Sequence, residues 1–348
     1  MQPSPVPRDN PNVKRSTPPG ARSRISGPVL LKGGVARPER RVLVHGLVYF
    51  GQAFANLMDG DGWTFRYFPD RGLLNLAAMA AELRACDIVY QVGGRVTRGK
   101  FLRAAHLFRK KTIVMHWVGS DTVDEQNDVA AGNADPWVFR SVHHWAESDW
   151  MVREVNALGL PCDRVPLPSS LVPDRPGPMP EEFRVLVYVP TLTRSSLYGL
   201  DSILIAARSL PDVPFDLVGL RDGPIPDAPR NLHVYPRIPN LAEFYRRASV
   251  VWRPVRHDGL SWMVMESLGH GRHVLWTYAF PGCIHATNSS EACEQIARLH
   301  RLHQRGALQK NQMGADFIAQ GGYSPRFLRR EIHARLERML DSPQAPGL

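Results

Sequence analysis

Short apolar runs of Val, Ile, Leu and aromatic residues alternate along this chain with longer stretches whose apolar positions recur at helical spacing. Residues 41–45 form the first run. A Gly-containing loop follows from Gly46 to Gly51, then a helix over 52–58. Residues 63–68 alternate like a strand, 73–84 read as an Ala- and Leu-rich helix, and 87–92 form a strand ending on Gly93-Gly94. A helix over 101–110, a strand over 112–116, a short strand over 144–147 and a helix over 149–158 complete the first half. Strands and helices in strict alternation predict a parallel sheet covered by helices.

The pattern then breaks. Pro166, Pro168, Pro173, Pro176, Pro178 and Pro180 fall within fifteen residues. Proline lacks the N–H that a helix needs, so this span is an extended linker. Beyond it the alternation restarts, with strands over 183–189, 215–219, 232–235, 250–252 and 273–276. Helices are predicted over 199–210, 241–248, 261–268 and 291–303, and a long basic helix over 325–340. The expectation is an α/β chain of two Rossmann-like domains facing each other across a cleft. They span 41–165 and 182–322, are joined by a linker over 166–181, and are followed by a terminal helix over 323–340. Open parallel sheets bind ligands beyond the carboxyl ends of their strands, so each domain offers one wall of the cleft.

Composition adds two constraints. The 348 residues are 43% hydrophobic and 22% charged, which suits two globular cores, and no apolar run is long enough to span a membrane. The start of the sequence lacks the apolar core of a secretory signal. With four cysteines at no zinc or redox spacing, the chain reads as a cytoplasmic protein with reduced thiols. The net charge of +10 is uneven, since residues 1–41 hold nine Lys/Arg against Asp9 and Glu39. Residues 1–40, rich in Pro, Gly and Ser, are expected to form a disordered basic tail. An anionic membrane surface, nucleic acid, or solubility alone could explain such a tail; nucleic acid fits worst, because no reading motif accompanies the charge.

One stretch carries chemistry. The helix over 261–268 is apolar almost all round, with Trp262, Met263, Val264, Met265 and Leu268, yet contains Glu266. A helix apolar on every side is buried, and a buried carboxylate needs partners. Either Glu266 caps neighbouring backbone, or it accepts hydrogen bonds from a ligand such as a ribose diol. Ahead of it, Asp258, Gly259, Leu260 and Ser261 present backbone N–H groups at a helix start, a site suited to phosphate. Arg253 and Arg256 add positive charge just upstream.

This stretch resembles the retaining glycosyltransferases of the family-4 type, which have the GT-B fold. Their signature places two acidic residues eight positions apart in the context P-S-x-x-E-G through E-A-x-x-x-G-x-P-V. Here Asp258 and Glu266 hold those positions, and Gly259, Gly271 and Val274 match as well. The resemblance implies that Asp258 touches the donor sugar, that Glu266 holds the nucleotide ribose, and that backbone near Arg237 and Ile238 contacts the base. It covers roughly residues 41–340, is strongest over 231–275, and makes the first domain the acceptor side and the second the donor side. Glu147-Ser148 and Gly159-Leu160-Pro161 resemble the end of the family's first domain. The terminal helix resembles the one that returns to it. One departure stands out. The family clamps the diphosphate with an Arg and a Lys, the Lys just before the glycine that Gly199 matches, where this chain has Tyr198. Arg194 and Arg253 are the substitutes at hand.

Across the cleft, His116 closes a strand. It is either a packed histidine or, at that strand end, a crevice residue; the resemblance implies that it approaches the transferring sugar. Asp121 could bind acceptor hydroxyls or cap a helix. Gly93 and Gly94 let backbone approach an acceptor closely. His143-His144 lacks a carboxylate cluster at ligand spacing, so no metal and no cofactor is expected. The resemblance therefore implies a metal-independent retaining hexosyltransferase. It would take a nucleoside-diphosphate sugar and a glycan or lipid-linked acceptor in surface-polysaccharide synthesis, with peripheral contact to the membrane through the tail. The missing Lys keeps open a glycosyltransferase-like scaffold or binding subunit. A sugar-nucleotide epimerase of the same architecture is a third reading.

Overall fold

The computed structural model describes residues 39–69, 76–110, 112–235, 238 and 241–341. The expected tail up to Pro38, the start of the helix predicted from Leu73, and Arg237 lie outside the described residues. The first half runs β1 (Arg40–Gly46), α1 (Val48–Met58), β2 (Trp63–Tyr67), α2 (Leu76–Ala85), β3 (Ile88–Val92), α3 (Lys100–Leu107), β4 (Thr112–Trp117), α4 (Asp121–Ala130), α5 (Pro136–Ser141), β5 (His143–Ala146), α6 (Asp149–Ala157) and β6 (Cys162–Arg164). No helix or strand occurs between β6 and β7 (Val185–Tyr188). The second half continues with α7 (Leu200–Ser209), β8 (Phe215–Val218), β9 (Leu232–Tyr235), α8 (Ala242–Arg247), β10 (Val250–Arg253), α9 (Trp262–Gly269), β11 (His273–Trp276), β12 (Cys283–His285), α10 (Ser289–Gln304), α11 (Gln312–Gln320) and α12 (Pro325–Asp341).

Among the described residues the strands form two six-stranded sheets, ordered β2-β1-β3-β4-β5-β6 and β12-β11-β10-β7-β8-β9, with every pairing parallel. Strands buried on both faces need no polar side, which is why they read as unbroken apolar runs. β3 and β4 are buried along their whole length. Separate apolar clusters fill the two faces of each sheet, Val44, Phe54 and Tyr90 opposite Leu43, Met115 and Trp117 in the first, Val187, Phe215 and Leu275 opposite Leu186, Val251 and Val274 in the second.

Strand order reverses between β1 and β3 in one sheet and between β7 and β10 in the other. Crevices open at such switch points, because adjacent crossovers leave toward opposite faces. At the first switch, Leu47 N–H donates to the Val92 carbonyl at 2.9 Å. A side chain on Gly46 would sit 1.9 Å from that same carbonyl oxygen. At the second, Arg256 N–H donates to the Leu197 carbonyl at 2.9 Å, and a side chain on Gly199 would meet the Pro254 carbonyl oxygen at 2.0 Å. Both glycines have positive φ, +110° and +67°, and both permit a loop-to-loop approach no larger residue allows.

Three elements tie the halves together. Trp262 of α9 enters the first-half core beside Phe50, with ring centroids 4.7 Å apart, and its Nε1 donates to the Leu167 carbonyl at 3.0 Å. α12 lays Ile332 and Leu336 on the same core, and His333 stacks on Trp63 and Phe65. The segment after β6 buries Leu167 and Ser169 on its way to β7.

The sequence reading differs locally. Helix α1 begins at Val48, inside the span read as a Gly loop. Helix α4 is polar on most of its surface and α5 has six residues, so neither shows an apolar stripe; Asp135 caps α5 by accepting from Trp137 N–H. The three-residue edge strands β6 and β12 are too short to show a periodicity, and α11 is a further helix beyond those expected. The proposed tail boundary is off by a short step, since Arg40 already pairs in β1.

Candidate active site

The loop after β10 lies at the second switch point, and the structure binds it on every side. Asp258 is buried, and both its oxygens accept from Arg253, through Nε and Nη2, at 2.9 Å each. Its backbone N–H donates to the Tyr278 hydroxyl at 3.1 Å, and its carbonyl accepts from Trp150 Nε1 of the first half at 2.8 Å. Burial raises the Asp258 carboxyl against the opposing pull of Arg253. Arg253 is itself enclosed and lies over the rings of Tyr188 and Tyr198. Its charge is therefore answered by Asp258, which leaves it less free for a diphosphate than the sequence suggested.

Behind this loop, no side chain caps α9, so the N–H groups of its first turn lack a side-chain acceptor. Gly259, Leu260 and Ser261 lead directly into that turn, and all three are buried. One turn further on, Glu266 is 2% exposed. Its Oε2 accepts from the Tyr245 hydroxyl at 2.5 Å, and its Oε1 accepts from the Ser169 hydroxyl of the inter-domain segment. Burial pushes its pKa up to about 7, although both hydroxyls favour the ionised form. A ribose diol would offer the same two donors that Tyr245 and Ser169 now supply. Ile238 packs on the apolar cluster around Tyr245 and α9. Arg194 stands apart, in a short 3₁₀ turn after β7, half exposed and paired with Asp124 of α4 at 3.3 Å.

The first-half residues behave differently. His116 is fully enclosed: β4 is covered on both faces, and His116 lies among Tyr90 and Trp145, with its Nδ1 2.6 Å from the Tyr90 hydroxyl. Burial pushes its pKa down to about 3, so it is neutral. The structure thus encloses His116 within the first-half core, at the end of β4. Asp121 begins α4 and accepts from three backbone N–H groups, those of Gly94 at 2.6 Å, Val118 at 2.8 Å and Thr122 at 2.9 Å. It ties the loops after β3 and β4 together, a cap-like role that leaves little of its carboxylate for an acceptor. Burial nonetheless raises its pKa to about 7. Gly94 has no room for a side chain, because a Cβ would fall 1.9 Å from the Trp117 ring, and Gly93 has a φ of +101°. His144 accepts from Trp117 Nε1 at 3.1 Å. Among the described residues no three His, Cys, Asp or Glu side chains are placed to hold a metal ion.

Residues not assigned to the site from the sequence complete the seam. Glu147 directly follows β5, is 4% exposed, and lies against Gly259. Trp150 stacks on Tyr278 with ring centroids 4.8 Å apart. His257 lies 3.0 Å from Glu154, which also accepts from the Thr122 hydroxyl at 2.7 Å. The hydrogen bond to Glu154 raises the His257 pKa. Position at a strand's carboxyl end could have pointed to Glu147. Nothing local could have paired Glu266 with Ser169, 97 residues earlier.

No family model matches the chain, and no curated protein matches it in sequence. Solved structures do match in shape. Anabaena HepE, solved with UDP-glucose, is 13% identical with a TM-score of 0.65, over 86% of this chain and 99% of that one. Sucrose-phosphate synthase from Thermosynechococcus elongatus is 12% identical with a TM-score of 0.62, over 88% and 100%. A glycosyltransferase from Rickettsia africae is 8% identical with a TM-score of 0.58, over 87% and 99%. The chain has the GT-B fold of these proteins, with two parallel sheets whose strand ends meet at one seam.

Proposed function

We propose that this protein is a glycosyltransferase that takes a nucleoside-diphosphate sugar in its second half and transfers the sugar to an acceptor held by the first. The observation that carries this reading is the uncapped start of α9 at the second switch point, directly behind Asp258 and one turn before Glu266. Helix N-termini favour phosphate, and these N–H groups would take the diphosphate. Glu266 would receive the ribose by exchanging the Tyr245 and Ser169 hydroxyls for those of the ligand. Arg194 would reach the diphosphate from the rim in place of the family's Lys. The neighbour HepE, solved with UDP-glucose, supports a uridine donor.

The transfer we propose is retaining and metal-independent. The leaving diphosphate would be stabilised by N–H groups and arginine rather than by a cation. Leu47, Val48 and Tyr49, 46%, 59% and 45% exposed, stand at the first-half switch point and suit the apolar part of a lipid-linked acceptor. Among the described residues no helix is long and apolar enough to cross a membrane. We propose a cytoplasmic setting in surface-polysaccharide synthesis, with residues 1–40 meeting anionic lipid. Flotation with anionic liposomes, comparing the full chain with one lacking residues 1–40, tests the tail.

Calorimetry with a panel of nucleotide sugars tests the function. Tight binding of one donor, and sugar transfer when an acceptor is added, is the expected result. A second reading rests on a specific observation: Asp258 and Glu266 are both fully answered by protein groups. A non-catalytic scaffold of this fold would show that arrangement and would bind no donor in the panel.

A further inference from the structure

At the seam between the halves, the turn at 147–151 meets the loop at 258–260. A side chain on Gly259 would lie 2.6 Å from Glu147 Oε2, 2.6 Å from the Gly119 nitrogen and 3.0 Å from Met151 Sδ, so only glycine permits the contact. The Leu260 N–H acts on the Glu147 carboxyl and pulls its pKa down. Trp150 Nε1 holds the Asp258 carbonyl from the same turn. We propose that Glu147 is a positioning residue: it fixes the Gly259–Leu260 backbone against the first half, and so aims the start of α9 at the donor.

The charge around Glu147 makes this contact depend on its proton. Asp121 of α4 and Asp258 of the second half are the acids that act on it, and Tyr90 of β3 feels its charge. The nearby cations are committed elsewhere, Arg253 to Asp258 and His257 to Glu154. Burial, followed by repulsion from Asp121 and Asp258, pushes the Glu147 carboxyl well above its ordinary value of 4.5, with only the Leu260 N–H pulling down. A neutral carboxyl can keep the Leu260 contact without opposing the two acids. Its support for the closed seam is therefore complete below the ordinary value and is lost as pH rises through the raised one.

The test uses the full chain, as wild type, Glu147→Gln and Glu147→Ala. Donor binding, kcat and KM are measured between about pH 5 and pH 8, with small-angle scattering of the ligand-free proteins alongside. The kinetic readouts rest on the glycosyltransferase reading; scattering does not. Glu147→Gln keeps the shape and the acceptor oxygen but cannot ionise. It should hold donor affinity within about twofold of wild type and lose part of the decline with pH, whereas Glu147→Ala should weaken donor binding about tenfold with kcat little changed. Ligand-free Glu147→Ala should also scatter as a more open particle, and Glu147→Gln as wild type. Two results overturn the proposal: an alanine variant with wild-type donor affinity and scattering, or a glutamine variant as impaired as alanine. If wild type binds no nucleotide sugar, the functional reading fails and the scattering comparison alone decides the role of Glu147.

Discussion

The two walls of the seam use carboxylates in opposite ways. On the first-half wall, Asp121 is consumed by three backbone N–H groups and shapes the loops after β3 and β4. On the second-half wall, Glu266 is held by two side-chain hydroxyls, while the start of α9 has no side-chain cap. A backbone partner cannot leave without unfolding its loop, whereas a hydroxyl can rotate away and be replaced by a ligand's. On the proposed function, the first wall is a scaffold and the second an exchangeable site.

The largest effect that sharpens this contrast comes from Arg253→Ala, which leaves Asp258 buried without its cation. Breaking one side of such a pair costs about 3–5 kcal/mol, so chemical denaturation should show a large loss of stability. A loss of under 1 kcal/mol, by the same comparison, would mean that Asp258 finds another partner.

His116→Ala comes next. It empties a closed site in the first core and should cost about 2–3 kcal/mol in denaturation, while the folded protein keeps its donor affinity. The contrast between the walls breaks if donor turnover collapses with stability intact.

Glu266→Ala should lower donor turnover at least about tenfold, and turnover equal to wild type would remove Glu266 from the site. Tyr245→Phe offers the sharper discrimination: it removes one competitor for the carboxylate, so calorimetry should show donor binding unchanged or tighter. The raised pKa of Glu266 adds a pH signature. Its contribution to stability is complete below the ordinary value of 4.5 and is lost as pH rises through about 7. Thermal unfolding followed across that window should show the decline in wild type and a weaker one in Glu266→Gln.

The smallest effect belongs to Arg194→Ala. Its exposed pair with Asp124 is worth under about 1 kcal/mol, so stability should barely move. A clear rise in donor KM without a fall in stability would place Arg194 on the diphosphate. An unchanged KM would leave the α9 N–H groups as the main phosphate contact.

Much of the fold was legible because buried parallel strands write themselves as apolar runs, and the prolines from Pro166 to Pro180 mark a segment without helix or strand. Helix α4 escaped because its sequence, from Asp121 to Ala130, is polar on most faces and is held by its neighbours rather than by a stripe of its own. In the site, residue types were legible and occupancy was not. The eight-residue spacing of Asp258 and Glu266 marks a carboxylate pair at a loop and the helix behind it. That Arg253 answers the first, and that Ser169 and Tyr245 answer the second, depends on segments brought together from far along the chain.

The sequence by itself determined two parallel α/β halves, the break between them, and an acidic pair at the start of a buried helix, because periodicity and residue chemistry are local properties. Only the tertiary structure decided that His116 lies in the core, that Asp121 serves the backbone, and that Glu147 closes on Gly259. Burial and hydrogen-bond partners arise from contacts between distant segments, and they govern which charged groups remain free to meet a ligand.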